Sequence, residues 1–159
     1  SASVLIRDYP NLLVTRTLSK SHALAGMRLG YALGQPHLID GLVRIKDSFN
    51  SYPVDRIAQA AGRAAIEAGD YYAACSQKII AAREEFVAAL EKAGFTVLPS
   101  LANFVFVSPP RKNAKEVQDD LRKHNILVRH FAGERTKEWL RISIGTPEDM
   151  RAVLRVLCQ

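Results

Sequence analysis

One segment, residues 15–30, constrains the fold of this chain more than any other. It carries Lys20, the serine before it and Arg28 in a stretch of small residues, and apolar runs at residues 12–14 and 29–33 flank it. Short apolar runs bounded by small and polar residues predict strands, so Lys20 is expected on a loop between two strands. Such loops place reactive side chains on a rigid framework.

Two simpler explanations of the lysine have to be weighed. A lysine in a loop rich in serine and threonine is commonly a solvated surface charge, and this alternative stays open on the loop alone. The sequence Ser19-Lys20-Ser21 also resembles the end of a phosphate-binding P-loop. That loop needs one glycine directly before its lysine and another five positions before that glycine. Here Ser19 and Val14 occupy those positions, so a P-loop is excluded.

Four blocks of sequence together resemble a known family. Near the lysine they read TLSK at residues 17–20 and LAGMRLGY at residues 24–31, and far along the chain they read ILVRHF at residues 126–131 and LRISIGT at residues 140–146. In this order they resemble the fold-type I pyridoxal-phosphate aminotransferases of class I/II, and most closely the histidinol-phosphate aminotransferases. The resemblance covers essentially the whole chain.

The resemblance implies roles for the residues of the lysine segment. Lys20 is implied as the catalytic lysine, which forms a Schiff base with the aldehyde of pyridoxal 5'-phosphate and later moves a proton between substrate and cofactor. Ser19 and Arg28 are implied as ligands of the cofactor phosphate, which a hydroxyl and a planar guanidinium suit. Ser21 is a weaker candidate for the same contact.

The resemblance also implies a substrate site in the second half of the chain. Arg141 would hold the anionic end of the substrate, and Arg129 would be a second contact with that anion. In histidinol phosphate the anion is a phosphate ester, which two converging arginines bind well. Without the resemblance, a surface arginine on an edge strand would be the favoured interpretation of Arg141. Asn103 and Tyr52 also stay ambiguous, since Asn103 could contact a ligand or only open a strand.

The fold that the resemblance implies is α/β, the C-terminal portion of a fold-type I transferase. Residues 1–50 are expected to be a remnant of the cofactor-binding large domain, residues 51–93 a helical connector, and residues 94–159 a small α/β sandwich domain. In the family, the acidic partner of the pyridine nitrogen and other cofactor contacts lie upstream of the lysine. We therefore expect a truncated chain that catalyses poorly by itself.

Local patterns predict alternating helices and strands. Helical periodicity extends over residues 53–93 with an interruption at Gly69-Asp70, and Asn113 and Thr146 are predicted helix N-caps. The other predicted elements are helices at residues 36–45 and 114–123, a last helix that starts at Pro147, and strands at residues 95–98, 104–107, 126–128 and 140–144.

Composition argues against several classes of function. The chain has 22 Lys and Arg against 16 Asp and Glu, which could mark a nucleic-acid partner, but acidic and basic residues interleave and no nucleic-acid-binding signature appears. Neither the two cysteines, Cys75 and Cys158, nor the four histidines have the spacing of a metal site. No apolar run approaches the roughly 18 residues of a membrane span. We expect reduced thiols, a cytoplasmic location, and no metal, nucleic-acid or membrane partner.

The activity that the resemblance implies is amino transfer from histidinol phosphate to 2-oxoglutarate, which would yield imidazole acetol phosphate and glutamate in histidine biosynthesis. Within the same class the alternatives are a threonine-phosphate decarboxylase or another class I/II aminotransferase. The alternative from another class is a non-catalytic module used for assembly or nucleic-acid contact. Because the strands around Lys20 would leave backbone groups unpaired, a homo-oligomer, such as a dimer, that associates through residues 1–50 is also expected.

Overall fold

The computed structural model describes residues 1–158, which form two structural units. The first comprises Ser1–Ala73, and the second begins at Ala74. Each unit combines helices with a β-sheet, so the predicted α/β class is confirmed. The three-part domain division that the sequence suggests stays a prediction.

The first unit is built around a two-stranded antiparallel ribbon whose strands flank the lysine loop. Its register pairs Val14 with Leu33 at one end and Thr17 with Gly30 at the other. Asp55 caps the second helix after the ribbon, Arg56–Glu67, because its side chain accepts a hydrogen bond from the backbone N–H of Ala58 at 2.8 Å. The elements are a 3₁₀ helix at Ala2–Arg7, β1 at Val14–Thr17, a short 3₁₀ helix at Ala25–Met27, β2 at Gly30–Leu33, α1 at Pro36–Phe49 and α2 at Arg56–Glu67.

The first predicted strand, at residues 12–14, is misplaced. Leu12 lies in a turn in which its N–H donates to the carbonyl of Tyr9 at 3.0 Å, and the strand starts only at Val14. The strand then continues through polar residues to Thr17. Its length is determined by backbone pairing with β2 and not by the apolar character of its side chains. Helix α1 likewise starts at Pro36 as predicted but ends at Phe49, four residues later than expected.

The second unit is a four-stranded antiparallel sheet packed against helices. The sheet order is β3-β4-β6-β5, and helix α3 leads into the unit from the first. The interruption predicted at Gly69-Asp70 is the boundary between α2 and α3. The elements are α3 at Gly69–Lys92, β3 at Thr96–Val97, β4 at Phe104–Ser108, α4 at Ala114–Lys123, β5 at Arg129–His130, β6 at Leu140–Ser143 and α5 at Pro147–Leu157.

One face of this sheet forms the hydrophobic core. Alternate side chains of β4 and β6 are buried, as a half-buried antiparallel sheet requires, and the helices cover them. The intervening side chains, among them Phe104, Phe106 and Arg141, lie on the other face. The most deeply buried side chains are Phe86, Leu90, Val105, Val107, Leu121, Leu140 and Ile142.

The prediction of a strand at residues 126–128 is wrong. After α4, Asn125 takes a left-handed conformation with φ of 60°, and the N–H of Ile126 donates to the carbonyl of Leu121 at 3.0 Å, which closes the helix end. Ile126 and Val128 pack on the core, but the Val128 carbonyl accepts from the Gln118 side chain at 3.0 Å. Their apolar pattern therefore reflects burial without strand pairing, and β5 begins at Arg129.

Both predicted N-caps are confirmed. The Asn113 side chain accepts from the N–H of Glu116 at 2.9 Å at the start of α4. At the start of α5, the Thr146 hydroxyl accepts from the N–H of Asp149 at 3.2 Å. In return the Asp149 carboxylate accepts from the N–H of Thr146 at 2.9 Å, which forms a capping box.

This capping box should make the start of α5 sensitive to acid. The backbone N–H of Thr146 and then its hydroxyl hold the pKa of Asp149 below its ordinary value of 3.8. A lowered folded pKa stabilises the helix start above the unfolded value, and this contribution is lost as pH falls through the folded pKa. An NMR pH titration should show the Thr146 amide signal moving with the Asp149 carboxyl. The variant Asp149→Asn should abolish that movement, and an unchanged titration in the variant would contradict the assignment.

Candidate functional site

The lysine loop, residues 18–29, is closed at its base by backbone hydrogen bonds. The N–H of Leu18 donates to the carbonyl of Leu29 at 3.0 Å, and the N–H of Leu24 donates to the carbonyl of Leu18 at 3.1 Å. The Leu18 side chain is only 2% exposed and anchors the loop, while Lys20 is exposed at the following turn. The loop thus presents an amine on a fixed base.

The hydroxyl groups of Ser19 and Ser21, on either side of Lys20, have different hydrogen-bond partners. Thr17 donates its hydroxyl proton to the Ser19 hydroxyl oxygen at 2.9 Å, and its own oxygen accepts the N–H of Ser19 at 3.1 Å. Since Ser19 is the acceptor in its contact with Thr17, its hydroxyl hydrogen stays available to a ligand. Ser21 instead lies 2.9 Å from Nδ1 of His22. Ser19 is therefore better placed than Ser21 to donate to an anion.

Arg28 takes an unfavourable backbone conformation at the end of the loop. Its φ of 54° and ψ of 37° lie in the left-handed region, which costs a non-glycine residue about 1–2 kcal/mol. Its Nη1 donates to the carbonyl of Ala25 at 2.9 Å, which leaves the other guanidinium N–H groups for other acceptors. Strain of this kind is found at positions that bind ligands.

The donors of the loop are not neutralised by acids. Within residues 1–158, neither Lys20 nor Arg28 forms an ion pair with a carboxylate. An exposed amine, a serine hydroxyl and a guanidinium on one short loop are suitable donors for a phosphate that carries two negative charges. This donor set therefore fits the phosphate group and the aldehyde that the sequence implies.

The geometry of the lysine loop should depend on Gly30. A Cβ atom there would lie 2.6 Å from the backbone carbonyl oxygen of Arg16, so Gly30→Ala should distort the β1–β2 ribbon and destabilise it by about 1–3 kcal/mol. Gly26→Ala is the matched control, because a Cβ atom at Gly26 has no neighbour within 4 Å. Amide hydrogen exchange at Leu18 should accelerate only in Gly30→Ala, and equal rates in both variants would contradict the steric argument.

The second unit brings the two predicted substrate arginines together. The register of β5 and β6 places Arg129 directly opposite Arg141. The guanidinium carbon of Arg129 lies 5.5 Å from the centre of the Phe131 ring, and that of Arg141 lies 5.8 Å from the same ring. Like charges opposite each other on neighbouring strands are destabilising, and the ring face offsets only part of this repulsion. The pair is therefore suited to an anion.

Aromatic rings support this pair. Phe104 lies 5.5 Å from the guanidinium of Arg141, Phe106 stacks on Trp139 with centres 5.2 Å apart, and Phe131 meets Phe106 edge-on at 6.1 Å. The sequence predicted the arginines but not these rings, although two phenylalanines two positions apart on one strand signal a shared face. The term arginine face is used below for Arg129, Arg141, Phe104, Phe106, Phe131 and Trp139.

The two ambiguous residues are now placed. Asn103 immediately precedes β4, and its carbonyl accepts the N–H of Ile144 at 2.9 Å, so its backbone helps to open the strand. Its side chain is exposed. Tyr52 is 92% exposed in the connection between α1 and α2, where its N–H donates to the Asn50 side chain at 3.1 Å. These placements do not identify either residue as a ligand contact.

No three His, Cys, Asp or Glu side chains in residues 1–158 are grouped so that they could hold a metal ion. Among the helices of the same residues, none combines the length and the apolar character needed to cross a lipid bilayer.

Comparisons with known proteins agree with the sequence pattern. The family described as aminotransferase class I and II matches residues 2–157. The histidinol-phosphate aminotransferase of Acetobacter pasteurianus is 54% identical over 157 residues, which cover 99% of this chain and 44% of that relative. Less than half of the relative's length is therefore spanned.

Solved structures are similar as well. The histidinol-phosphate aminotransferase from Sinorhizobium meliloti, in complex with pyridoxal-5'-phosphate, is 31% identical with a TM-score of 0.81, and the match covers 95% of this chain and 41% of that one. The histidinol-phosphate aminotransferase from Clostridium acetobutylicum is 26% identical with a TM-score of 0.88, covering 99% of this chain and 48% of that one.

Proposed function

Since this chain belongs to the class I and II aminotransferase family, we propose that it forms part of an enzyme that uses pyridoxal 5'-phosphate to transfer an amino group from histidinol phosphate to 2-oxoglutarate. Histidinol-phosphate aminotransferases that are 50–54% identical over nearly the whole chain support this choice of amino donor. The enzyme would act in histidine biosynthesis.

The observation that carries the proposal is the arginine pair of the second unit. Arg129 and Arg141 lie opposite each other, and in residues 1–158 neither forms an ion pair with a carboxylate. Two guanidinium groups can together donate several hydrogen bonds to one phosphate ester. A single carboxylate offers fewer acceptors, so the pair favours a phosphorylated amine as amino donor.

The residues of the lysine loop would hold the cofactor. The Ser19 hydroxyl and the Arg28 guanidinium would donate hydrogen bonds to its phosphate, and the Lys20 amine would hold its aldehyde. When bound, the cofactor would supply an electron-withdrawing ring that makes a proton on the neighbouring substrate carbon acidic. Once the substrate amine has displaced Lys20 from that aldehyde, the freed Lys20 amine would accept and return this proton, which is general acid–base catalysis by a positioned group.

The test is a comparison of ligands that differ in one phosphate. NMR titrations of the chain, in the presence of pyridoxal phosphate, would follow the side-chain Nε–H signals of Arg129 and Arg141. Histidinol phosphate should bind about tenfold more tightly than histidinol, because hydrogen bonds to a charged group contribute about 1.5–3 kcal/mol. Arg141→Gln should remove this difference. Arg135→Gln, an exposed arginine of the loop between β5 and β6, is the matched control and should keep it.

Two results of this comparison would redirect the proposal. Equal binding of histidinol and histidinol phosphate would overturn the assignment of the arginine pair to a phosphate ester. Tighter binding of O-phosphothreonine would instead favour a threonine-phosphate decarboxylase, because the same arginines suit any phosphorylated amine.

We further propose that the enzyme is a cytoplasmic homo-oligomer, such as a dimer. Both described cysteines are free, as is usual for cytoplasmic proteins. In the first unit, β1 and β2 pair only with each other among the described residues, and Ile45 and Phe49 on α1 are 68% and 93% exposed. Unpaired strand edges and exposed apolar side chains favour association. Light scattering should give a mass above that of one chain, and a monodisperse monomer would contradict this expectation.

A further inference from the structure

The second unit contains a cleft that the proposed function does not use. Its volume is about 520 Å³, and none of its lining residues belongs to the arginine face. The end of α3, the connection from β4 to α4, one side of α4 and the end of α5 form its walls. A volume of this size falls within the roughly 300–1,000 Å³ of small-molecule sites.

The wall of the cleft is apolar where the helices meet. Phe95 and Val117 are buried residues of the core, and Val156 and Leu157 are partly buried against them. An apolar ring or short chain could therefore be sheltered from water there, which favours binding in proportion to the buried apolar area.

The polar rim carries more positive than negative charge. Asp120 is the single carboxylate among the described residues that line the cleft, and it is held by Lys112 at 2.6 Å and by Lys123 at 2.9 Å. The hydrogen bonds from Lys112 and Lys123 lower the pKa of Asp120 to about 2, so the rim's acid is ionised and already paired. Lys92 and Arg111 also line the cleft, and within the described part of the chain neither has an ion-pair partner.

We propose that this cleft is a second ligand site, which takes a small amphipathic anion. The apolar body of the ligand would lie against Phe95, Val117 and Leu157, and its phosphate or carboxylate would accept hydrogen bonds from Lys92 and Arg111. Two unpaired cations beside an apolar wall are complementary to this class of molecule in both charge and polarity. The proposal is independent of the proposed amino transfer, because the two sites share no residue.

Phenyl phosphate is the probe that tests the site. The experiment uses the double variant Arg129→Gln/Arg141→Gln as background, so that the arginine face does not bind the probe. Phenyl phosphate should shift the amide signals of Phe95 and Val117 and slow the reaction of the Cys158 thiol, which lines the cleft, with a disulfide reagent. Inorganic phosphate carries only the charge and benzyl alcohol only the ring, so each should bind at least about tenfold more weakly.

Variants of the charged residues on the rim distinguish a specific binding site from nonspecific electrostatic attraction. Adding Lys92→Gln and Arg111→Gln should weaken phenyl phosphate binding by about tenfold or more. Arg122→Gln is the control, because Arg122 is an exposed cation on α4 that does not line the cleft, and binding should stay unchanged. Equal affinity in all variants, or equal affinity for the three probes, would overturn the proposal.

Discussion

Replacing Lys20 with alanine is expected to abolish the covalent attachment of pyridoxal phosphate to this chain. In the wild type, borohydride reduction followed by mass mapping should find the label on Lys20, because this exposed residue directly follows Ser19 and shares the loop with Arg28. A bound phosphate raises the effective concentration of the aldehyde at this amine. Lys20→Ala removes the only primary amine on the lysine loop, so the specific label should disappear.

Lys46→Ala is the matched control for this experiment. Lys46 is the other lysine of the first unit, but it lies on α1 outside the lysine loop and pairs with Asp47 at 2.6 Å. Its removal should leave the labelling of Lys20 and the absorbance change on cofactor addition intact. If the label is instead spread over surface lysines and Lys20→Ala behaves like the wild type, the chain forms no cofactor site and the assignment of the lysine loop is wrong.

The largest expected effect on stability comes from Leu90→Ala. Leu90 lies on α3 with none of its surface exposed and packs in the core of the second unit. Truncation of such a leucine removes apolar contacts and leaves a cavity, which costs about 2–5 kcal/mol. Because a domain of this size is stable by only about 5–15 kcal/mol, the variant should lose a substantial part of its free energy of unfolding.

The same substitution at an exposed leucine gives the control. Leu101 belongs to the same unit but is 98% exposed, so Leu101→Ala should change the free energy of unfolding by less than about 0.5 kcal/mol. Urea denaturation followed by circular dichroism would measure both variants. Similar midpoints for the two would show that Leu90 is not a core residue of the folded protein.

The elements that the sequence predicted well are those with strong local signals. Helix α4 starts and ends where its pattern predicted, because Asn113 caps it and its buried side chains recur at helical spacing. The strand predictions failed where strand formation depends on a backbone pairing partner. Val14 starts a strand that continues through polar residues, and the apolar residues 126–128 are buried without joining the sheet. A single sequence does not contain the backbone partner that settles such cases.

The roles of the candidate site residues came from the family resemblance and stay predictions. The motifs that contain Lys20, Arg129 and Arg141 carry that resemblance, and the structure places Arg129 opposite Arg141. The rings of Phe106 and Trp139 were missed, because their stacking depends on the register between β4 and β6 and on the loop that leads into β6. Aromatic residues in and beside strands are ordinary, and only the folded sheet aligns Phe106 with Arg141 and stacks it on Trp139.

Strand β4 has a consequence for how this protein can change over evolutionary time. Val105 and Val107 face the core, while Phe104 and Phe106 face the side that carries Arg141. Changes at the two valines should therefore act on folding, whereas changes at the two phenylalanines should act on the proposed substrate site of Arg141. In a saturation mutagenesis library, selection for abundance should deplete changes at the two valines, whereas selection with an altered substrate should enrich changes at the two phenylalanines between and beside them.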